Sequence, residues 1–173
     1  MEKGEPMEKE GKATTRGQAF VDAILPRLKE DTAFAAALKR ADNRATEYQA
    51  WEHLVRYGCD IEQPRERAAF TTVAAAAARH GPERDGTLDV AASIARCFEG
   101  GNLADPARAK IRRLLACADT EEACRIIRPC LSLVAAKSVP ISYGRLLDQL
   151  LYFNERVRLS WAQSFYRSGG EER

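Results

Sequence analysis

The chain has 173 residues, 45 % hydrophobic and 30 % charged, a soluble-globular balance that excludes a collagen, a coiled rod or a disulfide scaffold. No apolar run approaches the roughly 18 residues of a membrane span, the longest obvious stretch being the short Val73 to Ala78 patch. The net charge of +2 is unevenly spread: residues 1–16 balance, residues 17–102 hold 13 acids and 11 bases, and residues 103–173 hold 8 acids and 12 bases.

Residues 1–16 are charged and lack large apolar side chains other than Met1 and Met7, so they are expected to form a disordered tail. With no apolar leader core there, the cytoplasm is the expected location. From Phe20 the pattern turns helical, with Phe20, Val21, Ile24, Leu25 and Leu28 on one face, and Pro26 is expected to kink or end that helix. Asp31 is placed to cap a second helix over Thr32 to Ala41. Tyr48, Trp51, Leu54 and Val55 continue the 3.6-residue period to Gly58, which suits a left-handed helix end. Pro64 opens the alanine-rich helix that runs to His80-Gly81-Pro82, and Thr87 or Asp89 starts the next, toward Gly100-Gly101.

Beyond that glycine pair, Asp105-Pro106 reads as an N-cap and first-turn proline, followed by Ile111, Leu114 and Leu115. Thr120-Glu121-Glu122 opens another helix, bent at Pro129; Ser142 caps one bearing Leu146, Leu147, Leu150 and Leu151; and Val157, Trp161 and Phe165 mark the last. No segment alternates with period two. The expected fold is an all-α, two-lobed helical bundle of about eight or nine helices. An amino-terminal lobe is expected over 17–102 and a basic carboxyl-terminal lobe over 103–168, with short tails at 1–16 and 169–173.

Enzyme chemistry is not apparent. His53 and His80 have no partner pattern, and the five cysteines (Cys59, Cys97, Cys117, Cys124, Cys130) form no C-x-x-C pair and are expected to be reduced and buried. No phosphate-cradling glycine loop, metal set or cofactor motif occurs, so neither catalysis nor a cofactor is expected.

The basic residues are more informative. On a helical wheel Arg108, Lys110, Arg112 and Arg113 oppose Ile111, Leu114 and Leu115, and Arg125 and Arg128 point away from the next apolar stripe. Lys39, Arg40 and Arg44 form a smaller cluster, partly offset by Asp42, and Arg145 completes the candidate set. Guanidinium groups bind phosphate oxygens in bidentate fashion without reading sequence, so these faces suit a nucleic-acid backbone. The competing readings are solvated helix faces on a protein-interaction adaptor, and a helix-turn-helix regulator, for which no convincing recognition helix is found.

Taken in order, Leu38-Lys39-Arg40-Ala41, Ile111-Arg112-Arg113-Leu114-Leu115, Arg125-Ile126-Ile127-Arg128, Val139-Pro140-Ile141-Ser142-Tyr143-Gly144-Arg145-Leu146-Leu147 and Val157 to Tyr166 resemble the CasB family, over roughly residues 18–167. That family is the small subunit of the type I-E CRISPR Cascade complex. The resemblance implies a non-catalytic helical subunit, present as a pair, that contacts the backbone and large subunits, the guide RNA, and the target and displaced DNA strands. It also implies nucleic-acid roles for Lys39, Arg40, Arg108, Arg112, Arg113, Arg125 and Arg128. The chain departs from the expected pattern at Ser142-Tyr143, in place of an acid and a tryptophan, and at Pro129.

Overall fold

Six of the nine helix starts among the described residues carry a side-chain cap. The computed structural model describes residues 13–168. Among these residues nine α-helices and no strand occur: α1 (Arg16–Glu30), α2 (Thr32–Lys39), α3 (Tyr48–Arg56), α4 (Pro64–His80), α5 (Val90–Arg96), α6 (Asp105–Leu115), α7 (Thr120–Ala136), α8 (Tyr143–Leu151) and α9 (Glu155–Arg167), with a 3₁₀ turn at Gly101–Leu103. The all-α expectation is met. Asp31 accepts a hydrogen bond from the Phe34 amide at 2.9 Å, Asp89 from Ala92 at 2.8 Å, Asp119 from Glu122 at 2.8 Å and Ser142 from Arg145 at 3.2 Å. Each satisfies an amide that the first helical turn leaves without a carbonyl partner.

Several expectations are corrected. The tail does not extend to Arg16, because that residue opens α1 behind Thr15 and its guanidinium grips Glu66 at 2.8 Å and the Gly58 carbonyl at 2.6 Å. Residues 1–12 and 169–173 of the expected tails lie outside the described residues. Of the kink or end expected at Pro26, an end is not found, since α1 runs on to Glu30; Pro129, where a bend was expected, lies inside a continuous α7. Each proline removes one bond to the carbonyl four residues back, and Asp22 and Arg125, which own those carbonyls, are both exposed. Asp105 is the first residue of α6 rather than its cap, so its carboxylate acts on the helix dipole from within the first turn.

The alanine run explains the architecture. Ala69, Ala74, Ala75, Ala77 and Ala78 of α4 are buried, and so are Thr71 and Thr72. Small side chains on several faces let α2, α7 and α8 all pack on this one helix. Helix α1 lies along α8, α5 on α9, and α6 beside α5, α7 and α9. A single contiguous core runs from Phe20 to Phe165, including Phe34, Phe70, Ile94, Ile111, Ile127 and Trp161. All five cysteines are buried free thiols, as expected.

The α4–α5 connection is fastened to the start of α8. Gly86 donates its amide to the Ile141 carbonyl at 3.0 Å and Ser142 donates to Leu88 at 2.7 Å. Asp85 between them accepts from the amides of Tyr143 (2.7 Å) and Gly144 (2.9 Å), from Ser142 Oγ and from Gln18 Nε2. One carboxylate thus neutralises the N-terminus of α8 and ties it to α1.

His80, at the end of α4, meets the hydroxyl of the fully buried Tyr143 at 2.7 Å through Nδ1. Burial holds the His80 imidazole below its ordinary pKa, and burial does the same at His53. The neutral ring is therefore the folded form, and the stability it contributes is present above the unfolded value of about 6.5 and lost as pH falls through the folded value. The melting temperature is expected to drop between pH 7.5 and 5.5, and less so in His80→Gln. An equal drop in both proteins would contradict this assignment.

Candidate nucleic-acid interface

The connection between α2 and α3, the first turn of α4 and the first half of α7 enclose a groove of about 610 Å³. Arg44, Arg67, Arg125 and Arg128 line it together with Asp42, Glu47, Asp119, Glu121 and Glu122. On formal charge this is not a basic groove, and the hydrogen bonds decide its character. Asp42 is held by Arg79 of α4, with Nη1 2.6 Å from its carboxylate, and Arg79 also donates to the Lys39 carbonyl at 2.7 Å. Asp119 caps α7, and Glu122 Oε2 accepts the Ala118 amide at 2.8 Å. Three of the five acids are thus already bonded within the fold.

The arginines are differently placed. Among the described residues none of Arg44, Arg67, Arg125 and Arg128 has a carboxylate oxygen within the 4.0 Å of an ion pair. Arg128 is half-buried and donates from Nε to Thr72 Oγ1 at 3.3 Å, and Arg67 donates to the Ile61 carbonyl at 3.2 Å. Each bond fixes the stem of a side chain whose remaining donors are free to meet an oxygen ligand. Arg44 and Arg125 are exposed.

The other sequence candidates fall elsewhere. Asp42 was expected to offset Lys39, Arg40 and Arg44; it is committed to Arg79, so that cluster keeps its charge, with Arg40 donating to Gln49 at 3.3 Å. The four-charge solvent face expected on α6 is narrower than the wheel suggests. Arg112 and Arg113 are exposed, whereas Arg108 and Lys110 are half-buried, and Arg108 Nε is buried without a hydrogen-bond partner among the described residues. The cause is that α6 is flanked by α5, α7 and α9, so less of its circumference meets water than in an isolated amphipathic helix. Burial pushes up the pKa of the Cys117 thiol at the end of α6, and α6 packs against α7, the helix that carries the groove residues Arg125 and Arg128.

Arg145 belongs to a different groove, with Arg96 and Arg167. The sequence reading missed Arg67, Arg96 and Arg167; only the periodic Ser160, Gln163, Ser164, Arg167 face of α9 hinted at a polar stripe. Among the aromatic side chains Tyr143, Trp161 and Phe165 are core, while Tyr152 is 60 % exposed. Among the described residues no group of three or more His, Cys, Asp or Glu is placed to hold a metal ion, and no helix is long and apolar enough to cross a membrane.

Comparison with known proteins agrees with this architecture. CasB from Thermobifida fusca is 19 % identical with a TM-score of 0.66, the match covering 89 % of this chain and 99 % of that one. CasB from Thermus thermophilus is 25 % identical with a TM-score of 0.68, covering 87 % and 97 %. A chain of a CRISPR RNA-guided surveillance complex is 23 % identical with a TM-score of 0.70, covering 89 % and 93 %. No curated protein matches the chain. The family model for CRISPR-associated protein Cse2 matches residues 35–166, three quarters of the sequence, and the chain belongs to that family.

Proposed function

We propose that this protein is the non-catalytic small subunit of a type I-E RNA-guided CRISPR surveillance complex, acting in the cytoplasm. In this role it holds nucleic-acid backbone and so stabilises the open duplex formed by guide RNA and target DNA. The observation that carries the reading is the groove between α4 and α7, where four arginines lack carboxylate partners among the described residues while three of the neighbouring acids are bonded internally. Such donors fit phosphate oxygens and read no bases.

Modest charge is enough for the task. Exchanging a DNA duplex for an RNA–DNA hybrid is nearly balanced in free energy, so a few backbone contacts decide whether the open state persists. Leu103, Leu159 and Tyr166 are exposed at 73 %, 63 % and 48 %, and apolar surface of this kind suits docking to other subunits and to a second copy. Tight binding then arises in the assembly, where the strand is held at several places at once.

The discriminating experiment is binding of the purified protein to labelled single-stranded DNA, duplex DNA and RNA across a salt series. Contact with about three or four phosphates gives a log-affinity slope near −2 to −3 per log salt on single strands, the same for unrelated sequences. A helical adaptor with solvated basic faces would show no binding at low salt, and a regulator would prefer one operator.

A further inference from the structure

A second groove, sharing no residue with the first, is formed where α5, α8 and α9 meet, and encloses about 460 Å³. Arg96 closes α5, Arg145 lies in the first turn of α8, and Arg167 ends α9; all three are exposed, and among the described residues none has a carboxylate oxygen within 4.0 Å. Among the described residues the one acid in the wall is Asp89, which is 5 % exposed. Its Oδ1 accepts from the Ala92 amide at 2.8 Å and from Ser164 Oγ at 2.7 Å, so it is occupied with capping α5 and fastening α9. Ser160 and Gln163 of α9 and Ser168 just beyond its end add polar side chains to the wall, and Leu88 and Ala92 add two apolar ones.

We propose that this groove is a second phosphodiester site, gripping the backbone of a single strand through Arg96, Arg145 and Arg167. The inference extends the nucleic-acid reading given above and rests on it. Three guanidinium groups from three helices converge on one channel, which suits successive phosphates of a strand better than one isolated anion. Among the described residues no aromatic side chain lines the channel, so bases have no stacking platform and recognition is independent of sequence. An acidic protein partner would need an apolar anchor at the centre of its interface, and Leu88 and Ala92 are the groove's only apolar lining. With two separate grooves, one subunit can hold two strands, or two stretches of one strand, at the same time.

The test uses the full chain and fluorescein-labelled oligothymidylate across a salt series, comparing wild type, Arg96→Gln/Arg145→Gln/Arg167→Gln and Arg125→Gln/Arg128→Gln. Helical circular dichroism reports the fold, which exposed substitutions leave intact. The triple variant is expected to lose one bound short oligomer per chain, leaving the first groove loaded, and to flatten by about two the salt slope of an oligomer long enough to span both grooves. An unchanged slope and stoichiometry in the triple variant, with loss in the double variant, overturns the second site and leaves the proposed function standing. No binding by wild type at low salt overturns both. Polyglutamate displacing the oligomer from the double variant but not from the triple variant assigns the groove to an acidic protein partner and overturns the proposal.

Discussion

Replacing Gly144 with valine is expected to cost more than about 3 kcal/mol of stability, a large part of the roughly 5–15 kcal/mol available to a domain. A side chain at this position of α8 would place its Cβ 2.8 Å from the Cα of Gln18 in α1, against backbone that cannot move aside as a flexible side chain does. The mirror position is equally tight: a Cβ on Gly17 would strike the Gly144 carbonyl and lie 2.8 Å from Asp148 Oδ1, the atom that accepts the Gly17 amide. The glycines let α1 and α8 approach to backbone contact, and that contact brings the Gln18 side chain to Asp85 and Asp148 to the α1 amide. Even Gly144→Ala separates packing from propensity. Alanine favours an isolated helix by about 1 kcal/mol over glycine, so propensity alone raises the melting temperature whereas the contact lowers it. Thermal unfolding of Gly144→Ala and Gly144→Val checks the sign; a stabilised alanine variant would contradict the packing described here.

Reversing Arg125 and Arg128 to glutamate is expected to weaken single-stranded DNA binding at low salt at least tenfold, about 1.4 kcal/mol, and to flatten its salt dependence. The reversal sets two new carboxylates beside Glu47 and Glu121, neither of which forms an ion pair among the described residues, and turns the groove acidic. Arg128 also loses its bond to Thr72, so Arg128→Gln serves as the control for packing. Circular dichroism separates a damaged fold from a damaged site. Affinity and slope equal to wild type would remove this groove from the interface.

The helices were legible because their signals are local. Asp31, Asp89 and Ser142 cap helices where they were expected to, Gly58 and Gly81 take the left-handed conformation, and Pro64 opens α4. Of the two outcomes expected at Pro26, a kink or an end, the end is not found, because the cost of an internal proline depends on the surroundings of the carbonyl it releases, which is a tertiary fact. The interface was legible residue by residue but not as a surface. Arg125 and Arg128 were identified on their helix, yet Arg67, three residues past the Pro64 helix start, lines the same groove through the packing of α4 on α7. Asp42 illustrates the same gap, since its neutralising partner Arg79 is 37 residues away in sequence. Gly17 and Gly144 carry no local mark at all, because their role is an approach between segments more than 120 residues apart.

The most direct test of the backbone-clamp role is the lifetime of the open target duplex in a reconstituted guide-RNA complex, followed by reactivity of unpaired thymines in the displaced strand. With wild-type subunit the displaced strand is expected to stay open, and with Arg125→Glu/Arg128→Glu it is expected to re-close faster while the complex still assembles. Equal lifetimes in two fully assembled complexes would contradict the clamp and leave the protein as a helical adaptor.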